Sequence, residues 1–322
     1  MKPAISSFVL VLAATGVAAA AGPQLDPGLP TYTKVEGLRG TLNAAGSDTM
    51  LELQTLMAEE FRKLYPQVKI QVEGKGSSTA PPALIEGTVQ LGNMSRRFKN
   101  KEVDAFEEAF GYEPTRLDVA LDTLAVFVNK DNPLESLTIA EVDAIFSKTR
   151  QCGAPADIST WGRIGLGGGF ETAPISLYGR NAASGTYGYF KDHALCKGDF
   201  KDTVKEQPGS ASVVQGIEKD PYGIGYTGIG YATSGVRAVP LAPAEGQPAV
   251  AAAAANAANG SYPLARFLHI YVNQAPNKPL DRLSAEYLRF MLSAEGQRVV
   301  IKAGFDPIDA EVAAEQLAKI RG

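Results

Sequence analysis

Hydroxyl side chains, glycines and arginines occur together in four short stretches of the sequence. They are AGSDTM (residues 45–50), GKGSSTA (74–80), GNMSRR (92–97) and RNAASGT (180–186). The guanidinium of Arg180, and that of Arg96, can present N–H groups in a fork that matches two oxygens of a tetrahedral anion. Glycines beside the hydroxyls allow the backbone to approach closely. Together the stretches predict a cleft that closes on one small anion.

Two of these stretches stand directly before a segment with helical spacing. Ser47 and Thr49 precede one such segment, and Ser184 and Thr186 open the other. Free N–H groups and the positive end of the helix dipole favour an anion at these positions. The same residue types are also ordinary helix caps and turn formers. A single stretch therefore does not decide between a cap and a binding site, whereas four of them favour a site.

The elements that must position these stretches alternate between strand-like and helix-like patterns. TLNAAG and KIQVEG are typical of strands, and DTMLELQTLMAEEFRKLY has apolar residues at helical spacing. Such alternation is typical of α/β domains, where ligands bind beyond the carboxyl ends of the strands. Two apolar runs, residues 117–134 and 266–273, predict strands that carry the chain into a second lobe and back.

The length of the chain favours two lobes. About 300 residues follow the N-terminal leader, which is above the size at which a single core usually keeps growing. We expect residues 22–122 and 264–322 to form lobe I and residues 123–263 to form lobe II. Each lobe is predicted to be a mixed sheet flanked by helices, and two strands are predicted to form the hinge.

Three further segments have patterns that predict local structure. PYGIGYTGIGYA repeats Gly-Ile-Gly-Tyr and predicts a tight bend. AVAAAAANAANG predicts an alanine-rich surface helix that ends at Asn259 and Gly260. SAEYLRFMLSAEGQRVVIKAG predicts one final helix that packs on lobe I.

The N-terminus and the two cysteines indicate an exported protein. Residues 1–21 contain Lys2, an apolar run from Phe8 and a series of small residues, as in a secretory signal peptide. In an oxidising compartment Cys152 and Cys196 are expected to form a disulfide, although two buried free thiols are the alternative.

The formal net charge of -4 argues against nucleic acid as a partner, because phosphate backbones require a basic face.

The order of the polar stretches resembles that of the periplasmic phosphate-binding proteins that deliver phosphate to an ABC transporter. The matching segments are AGSDT, GKGSS, GNMSRR, RNAASGT, DPYGIGYTGIGY and YPLARFLHIYVN. The resemblance implies a type II periplasmic binding protein fold with two lobes that close about a hinge. It also implies inorganic phosphate as the ligand, an inner-membrane ABC permease as the partner, a monomer, and a location in the periplasm.

The resemblance assigns roles to residues of the four stretches. Arg180 would place its fork on two phosphate oxygens, while Ser184, Gly185 and Thr186 would donate hydroxyl and backbone hydrogen bonds. The remaining predicted phosphate-binding residues are Ser47, Asp48, Thr49, Ser77, Ser78, Ser95 and Arg96. We expect no catalytic residue, metal or cofactor.

One departure from the family concerns selectivity. The family's well-known members carry an aspartate in the third loop, where it accepts the proton that phosphate still holds. Ser95 stands at that place here, and Asp48 in the first polar stretch is the alternative acceptor. Another oxyanion, such as sulfate, is therefore an alternative ligand. A secreted phosphatase is an alternative function, although His193 and His269 are expected to be structural.

Overall fold

The computed structural model describes residues 23–320 of the 322-residue chain. The predicted signal peptide, residues 1–21, lies outside the described residues. Within residues 23–320, none of the helices has both the length and the apolar character needed to cross a membrane.

A large mixed sheet forms the centre of the described chain. The strands are β1 (Gly40–Gly46), β2 (Val68–Glu73), β3 (Leu91–Met94), β4 (Thr115–Asn129), β5 (Leu137–Thr138), β6 (Ser176–Arg180), β7 (Lys205–Gln207), β8 (Gly223–Gly228), β9 (Val236–Ala238), β10 (Leu241–Ala242) and β11 (Ala265–Val272). The sheet order is β2-β1-β3-β11-β4-β8-β6-β7, with β9 also paired to β4, while β5 and β10 form a separate pair. Strands β1, β2 and β3 are parallel to one another, as are β6, β7 and β8. Strand β11 is antiparallel to β3, and β4 is antiparallel to β8.

Helices cover the sheet. They are α1 (Leu51–Leu64), α2 (Ala80–Ile85), α3 (Asn100–Phe110), α4 (Ile139–Phe146), α5 (Gly185–Ala194), α6 (Ser210–Glu218), α7 (Ala254–Ala258), α8 (Arg282–Met291), α9 (Ala294–Lys302) and α10 (Ala310–Lys319). In α1 the buried residues Leu53, Met57 and Phe61 recur every four positions and so form one apolar face. The predicted α/β class is confirmed.

Strand β4 belongs to both halves of the sheet. Its residues 115–123 pair with β11, and residues 124–128 pair with β8. The buried side chains divide at the same place, since one core ends at Ala120 and the next begins at Leu124. On the return, Leu264 belongs to the second core and Leu268 to the first. We propose the predicted boundaries for the two lobes and use the terms lobe I and lobe II in that sense.

The prediction of a tight bend at residues 221–232 is wrong in its first half. Gly223–Gly228 is the buried strand β8, which lies between β4 and β6. The glycines serve packing, because a Cβ at Gly225 would lie 2.7 Å from the carbonyl oxygen of Tyr178 and 2.8 Å from Ile217 Cδ1. Glycine at this position therefore lets helix α6 and strand β6 approach β8 closely.

The C-terminal helix predicted as one element is two helices. Helix α8 ends at Met291 and α9 begins at Ala294, with Ser293 as its N-cap. The Ser293 side chain accepts a hydrogen bond from the Gly296 N–H and donates one to the Phe290 carbonyl. These hydrogen bonds of the serine side chain compete with the backbone hydrogen bonds that would continue the helix.

The alanine-rich helix is shorter than its sequence predicts. The helix α7 covers Ala254–Ala258, and the predicted stop at Asn259 and Gly260 is correct, with Gly260 at a φ of +73°. Alanine propensity alone does not extend the helix toward residue 249, because short helices are marginal without packing.

The predicted disulfide between Cys152 and Cys196 is present, with a Cα–Cα distance of 5.3 Å. It ties the segment after α4 to the end of α5 in lobe II. The residues it joins are 44 positions apart. Closing a loop of that length restricts the unfolded chain.

Replacing both cysteines by serine is expected to lower the free energy of unfolding by about 2–4 kcal/mol, because the unfolded chain regains that freedom. Urea unfolding of the oxidised parent and the double variant measures the difference. A loss below about 1 kcal/mol would contradict the expectation. The parent unfolded in the presence of reductant is the matched control and should behave like the variant.

Candidate functional site

Three serines of lobe I meet at one edge of the sheet. Ser47, Ser77 and Ser95 follow the parallel strands β1, β2 and β3, whose carboxyl ends share that edge. The Ser47 hydroxyl donates to Ser95 Oγ at 2.9 Å, and Ser77 Oγ lies 3.3 Å from Ser95 Oγ. Each of these side chains is at most 1% exposed. The chain therefore buries three hydroxyl groups together, with Ser95 within hydrogen-bonding distance of the other two.

The start of α5 in lobe II lies directly against these serines. Ser184 caps the helix, and its Oγ accepts hydrogen bonds from the N–H groups of Thr186 and Tyr187. Gly185 faces lobe I so closely that a Cβ would lie 2.3 Å from Ser77 Oγ and 2.5 Å from Ser95 Oγ. The backbones also meet, because the Ser78 N–H donates to the Ala183 carbonyl at 3.1 Å. The two lobes are thus in contact around the hydroxyl cluster.

Two threonines join the lobes on another side of the cluster. Thr49 Oγ1 and Thr186 Oγ1 are 2.8 Å apart, and both residues are buried. The Tyr231 hydroxyl donates to the Thr49 carbonyl at 3.0 Å. Arg266 Nη2 donates to Thr186 Oγ1 at 2.8 Å. That bond uses a Thr186 lone pair, and one hydroxyl proton of the threonine pair lies in the bond between the two threonines, so the other hydroxyl proton remains available to donate.

Arg180 lies at the end of β6 with 1% of its side chain exposed. Its Nη1 donates to Ser210 Oγ at 2.8 Å, and its Nη2 lies 3.2 Å from Asp48 Oδ2. Burial lowers the pKa of the Arg180 guanidinium from its usual value, and the charge of Asp48 opposes that shift. The guanidinium remains a cation at neutral pH, as arginine does in proteins generally.

Asp48 connects the two lobes through its carboxylate. Besides Arg180, its Oδ2 accepts a hydrogen bond from the Ser210 N–H at 2.9 Å, at the start of α6. A Cβ at Gly209 would lie 3.0 Å from Asp48 Oδ1, so the carboxylate also packs closely on lobe II. Asp48 is therefore held by Arg180 and by the N-terminus of α6.

A second arginine reaches the cluster from the hinge. Arg266 of β11 donates from Nε and Nη2 to Asp122 Oδ2 of β4, at 3.0 and 2.8 Å. The exposed fractions of the two residues are 6% and 0%. Arg266 also lies over the Tyr189 ring, with Cζ 5.0 Å from the centroid. Such a buried pair is costly to desolvate and needs good geometry to be stable.

Three buried arginine N–H groups have no hydrogen-bond partner in residues 23–320; Arg116 Nε lies 3.2 Å from Asp118 Oδ1 as an ion pair, and the other two have no such contact. The other two are Arg180 Nε and Arg266 Nη1. Buried donors of this kind are rare in folded proteins, because leaving one unpaired costs about 1–3 kcal/mol or more for a charged group. Arg266 contacts Thr186, and Arg180 contacts Asp48, which lies between Ser47 and Thr49 in the chain, so an anion among the hydroxyls would supply the acceptors that these two N–H groups lack.

The structure does not bring the Arg96 guanidinium to this cluster, contrary to expectation. Its nitrogens bind the Glu102 carboxylate at 2.7 and 2.8 Å, and its Nη2 donates to Ser78 Oγ at 3.2 Å. Glu102 lies on α3, six residues away, and its carboxylate occupies the fork of Arg96. Ser78 accordingly accepts a hydrogen bond from Arg96 with its side chain and donates its N–H to the Ala183 carbonyl, at the border of the cluster.

Three residues of the cluster were not predicted from the sequence: Asp122, Ser210 and Arg266. Asp122 and Arg266 are charged residues within the apolar runs of the crossing strands, and a charge in such a run was the available signal. Ser210 is the first residue of α6, after the N-cap Gly209, so a serine at the start of an apolar helical segment was the signal there.

Both histidines lie outside the cluster. His269 Nδ1 is 2.6 Å from Asp118 Oδ1, and burial lowers the pKa of His269 while Asp118 opposes that shift. His193 is exposed, with Nδ1 3.0 Å from the Tyr189 carbonyl. Neither imidazole contacts a residue of the four polar stretches through a hydrogen bond among the described residues.

Comparison with known proteins shows the family of the chain. A family model for a PBP superfamily domain matches residues 31–295. The phosphate-binding protein PstS of Pseudomonas aeruginosa is 52% identical over 320 residues, which cover 99% of each chain. The chain belongs to the PstS family of the PBP superfamily. The predicted resemblance is therefore confirmed over nearly the whole chain.

Solved structures confirm the predicted fold of this PstS family member. A substrate-binding protein assigned to a phosphate ABC transporter of Clostridium perfringens, solved with bound phosphate, has a TM-score of 0.70 at 23% identity. The alignment covers 84% of this chain and 100% of that one. An ABC-type phosphate transport receptor from Vibrio cholerae has a TM-score of 0.63 at 21% identity, with coverages of 83% and 100%. The fold is the type II periplasmic binding protein fold.

Replacing Asp122 by alanine is expected to lower the free energy of unfolding by about 3–5 kcal/mol, because Arg266 would be left buried without its counter-ion. Asp202→Ala is the matched control, since Asp202 pairs with Lys148 but its side chain is 90% exposed. The control should lose less than about 1 kcal/mol in the same urea unfolding experiment. Equal losses of unfolding free energy in the two variants would show that the buried ion pair stabilises the fold no more than the exposed one.

Proposed function

We propose that this protein binds inorganic phosphate between lobes I and II and delivers it to an inner-membrane ABC permease. The observation that carries the proposal is the pair of unpartnered N–H groups, Arg180 Nε and Arg266 Nη1, on buried arginines that bind the hydroxyls of Ser210 and Thr186. The name of the P. aeruginosa relative, which is 52% identical, supports the same ligand.

The proposed binding set extends the sequence-based one. Arg180 and Arg266 supply the cations, and the start of α5 supplies backbone N–H groups near Gly185. The proposed hydroxyl donors are Ser47, Thr49, Ser77, Ser95, Ser184 and Thr186. A dissociation constant of about 1 μM corresponds to about -8 kcal/mol. Hydrogen bonds to a charged ligand contribute about 1.5–3 kcal/mol each, so this set can reach that affinity after the cost of desolvation.

Selectivity is proposed to depend on hydroxyl acceptors rather than on a carboxylate. Asp48 Oδ2 already accepts from Arg180 and from the Ser210 N–H, and its Oδ1 packs against Gly209, so we propose the serine cluster as the acceptor for a phosphate proton. A hydroxyl group can donate or accept, whereas a carboxylate only accepts. We expect phosphate to bind more tightly than sulfate, with a smaller margin than a free carboxylate would give.

Closure of the two lobes is proposed to form the site. The bonds between Asp48 and Ser210, Thr49 and Thr186, and Ser78 and Ala183 all join lobe I to lobe II. In a hinge motion these contacts would form together. We propose that the permease recognises this closed form of a monomer exported to the periplasm by its signal peptide.

A phosphatase is less well supported than a binding protein. Neither His193 nor His269 lies at the hydroxyl cluster, and each has a local partner in the fold, Tyr189 and Asp118 respectively. A general base must lie within hydrogen-bonding distance of the proton it removes. The geometry of the cluster therefore favours holding an anion over reacting with one.

Arg180→Ala is expected to weaken phosphate binding at least about 100-fold, because it removes one member of a buried charge pair and its bonds to the anion. Calorimetric titration of the protein stripped of anions measures the change for phosphate and sulfate. The matched control is Arg163→Ala in the same lobe, since Arg163 is exposed and distant in the sequence from the four stretches. Its affinity should equal that of the parent.

Retained phosphate affinity in a folded Arg180→Ala variant would overturn the assignment of the site. A parent that bound sulfate as tightly as phosphate would make the protein a less selective oxyanion receptor. Steady turnover of a chromogenic phosphate ester by the parent would favour the phosphatase alternative instead.

Gly185→Ala is expected to abolish detectable phosphate binding at micromolar protein, because its Cβ would clash with Ser77 and Ser95 and hold the lobes apart. Gly188→Ala, one turn further along α5, is the matched control. Its Cβ would lie 3.3 Å from the flexible side chain of Arg96 at Cδ. Titration should show binding by the control variant, and small-angle scattering with phosphate should show compaction only for the control and the parent.

A further inference from the structure

Two cavities flank the anion cluster between the lobes. The first, of about 720 Å³, lies between α1 and α6 and is lined by Asp48, Glu52, Gly74, Gly209, Gln215 and Tyr231 among others. We call it the acidic opening. The second, of about 520 Å³, lies between residues 96–99, helix α5 and strand β11. Its polar lining is Arg96, Arg97, Lys99, Asp192, His193, Arg266 and His269, and we call it the basic opening.

Both openings adjoin residues of the cluster. Asp48 lines the acidic opening and contacts Arg180. At the inner end of the basic opening, Arg266 contacts Thr186 and Arg96 contacts Ser78. An anion could therefore reach the cluster from either side when the lobes separate.

The charges of the basic opening do not cancel. Arg96, Arg266 and His269 are matched by the carboxylates of Glu102, Asp122 and Asp118. Arg97 and Lys99 are exposed, and neither has an ion-pair partner within residues 23–320. Asp192 is the one carboxylate that lines this cavity in the described chain. The opening thus carries two free cations against one free anion before His193 is counted.

The acidic opening has the opposite balance. Its lining includes the carboxylates of Asp48 and Glu52, and no lysine or arginine among the described residues. Asp48 is matched by Arg180, whereas Glu52 is exposed. A phosphate dianion is repelled by an exposed carboxylate at this side and attracted by the free cations at the other.

We propose that the anion enters and leaves through the basic opening, where Arg97 and Lys99 form an outer, transient phosphate-binding site. This proposal rests on the proposed function. Because the whole chain has a formal net charge of -4, a dianion gains attraction only from local cations. Charged residues that line a cleft concentrate an oppositely charged ligand and raise its association rate. The attraction extends over about one Debye length, roughly 10 Å at 0.1 M salt.

Stopped-flow measurement of phosphate association tests the proposal, with intrinsic tyrosine and tryptophan fluorescence as the signal. In low salt, the Arg97→Gln, Lys99→Gln double variant should associate about 3- to 10-fold more slowly than the parent. The Arg97→Glu, Lys99→Glu double variant should be slower still. At high salt the three rates should converge, because salt screens the charges of these exposed side chains.

Glu52→Gln at the acidic opening is the matched control, and its association rate should stay within about twofold of the parent. Parent-like rates in both double variants at low salt, with normal phosphate binding by the parent in calorimetry, would overturn the proposed path alone. A larger rate change in Glu52→Gln than in the double variants would also overturn it. A parent without phosphate binding would overturn the proposed function and the path together.

Discussion

The burial of the Arg180 guanidinium is the constraint on which the site depends. A cation with 1% of its side chain exposed has lost its water and must recover that free energy from fixed partners. Ser210 and Asp48 supply part of it, and Asp48 comes from the other lobe. The guanidinium is therefore well compensated only when the lobes are together. The Nε–H group of Arg180 has no partner, so the lost hydration is fully replaced only when an acceptor is bound.

The hinge strands extend this constraint across the molecule. Strand β4 passes from one core to the other without a break, and β11 pairs with it along residues 115–123. Asp122 and Arg266 form their ion pair at that crossing, and Arg266 continues to Thr186. Thr186 contacts Thr49 in lobe I. A continuous series of hydrogen bonds thus joins the hinge to both faces of the cleft, so the geometry of the crossing strands and that of the anion site are coupled.

Local signals in the sequence predicted the parts of this arrangement that depend on neighbours in the chain. Ser184 before a helical segment and the hydroxyls after β1, β2 and β3 follow from capping and from the position of strand ends. The Arg96 fork was predicted to lie at the anion site, but in the structure it binds Glu102, six residues later. The role of Arg266 could not be predicted, since Asp122 is 144 positions away in the chain and only the fold brings the two together. The glycines of β8 are typical of a turn in the sequence. Their role in close packing depends on neighbouring elements that only the fold brings together.

The pairing of each of these two arginines with an aspartate explains how a negatively charged protein can hold and still release an anion. With the lobes closed, Arg180 with Asp48 and Arg266 with Asp122 are each neutral as pairs, so the closed site carries no large uncompensated buried charge before an anion binds. Two unpaired guanidinium groups in the same volume would repel each other and cost several kcal/mol in the closed form. With neutral pairs, attraction for phosphate comes mainly from oriented N–H and O–H donors that require the lobes to be closed. Opening the hinge separates Asp48 from Arg180 and removes most of the donors at once, which makes release depend on lobe separation.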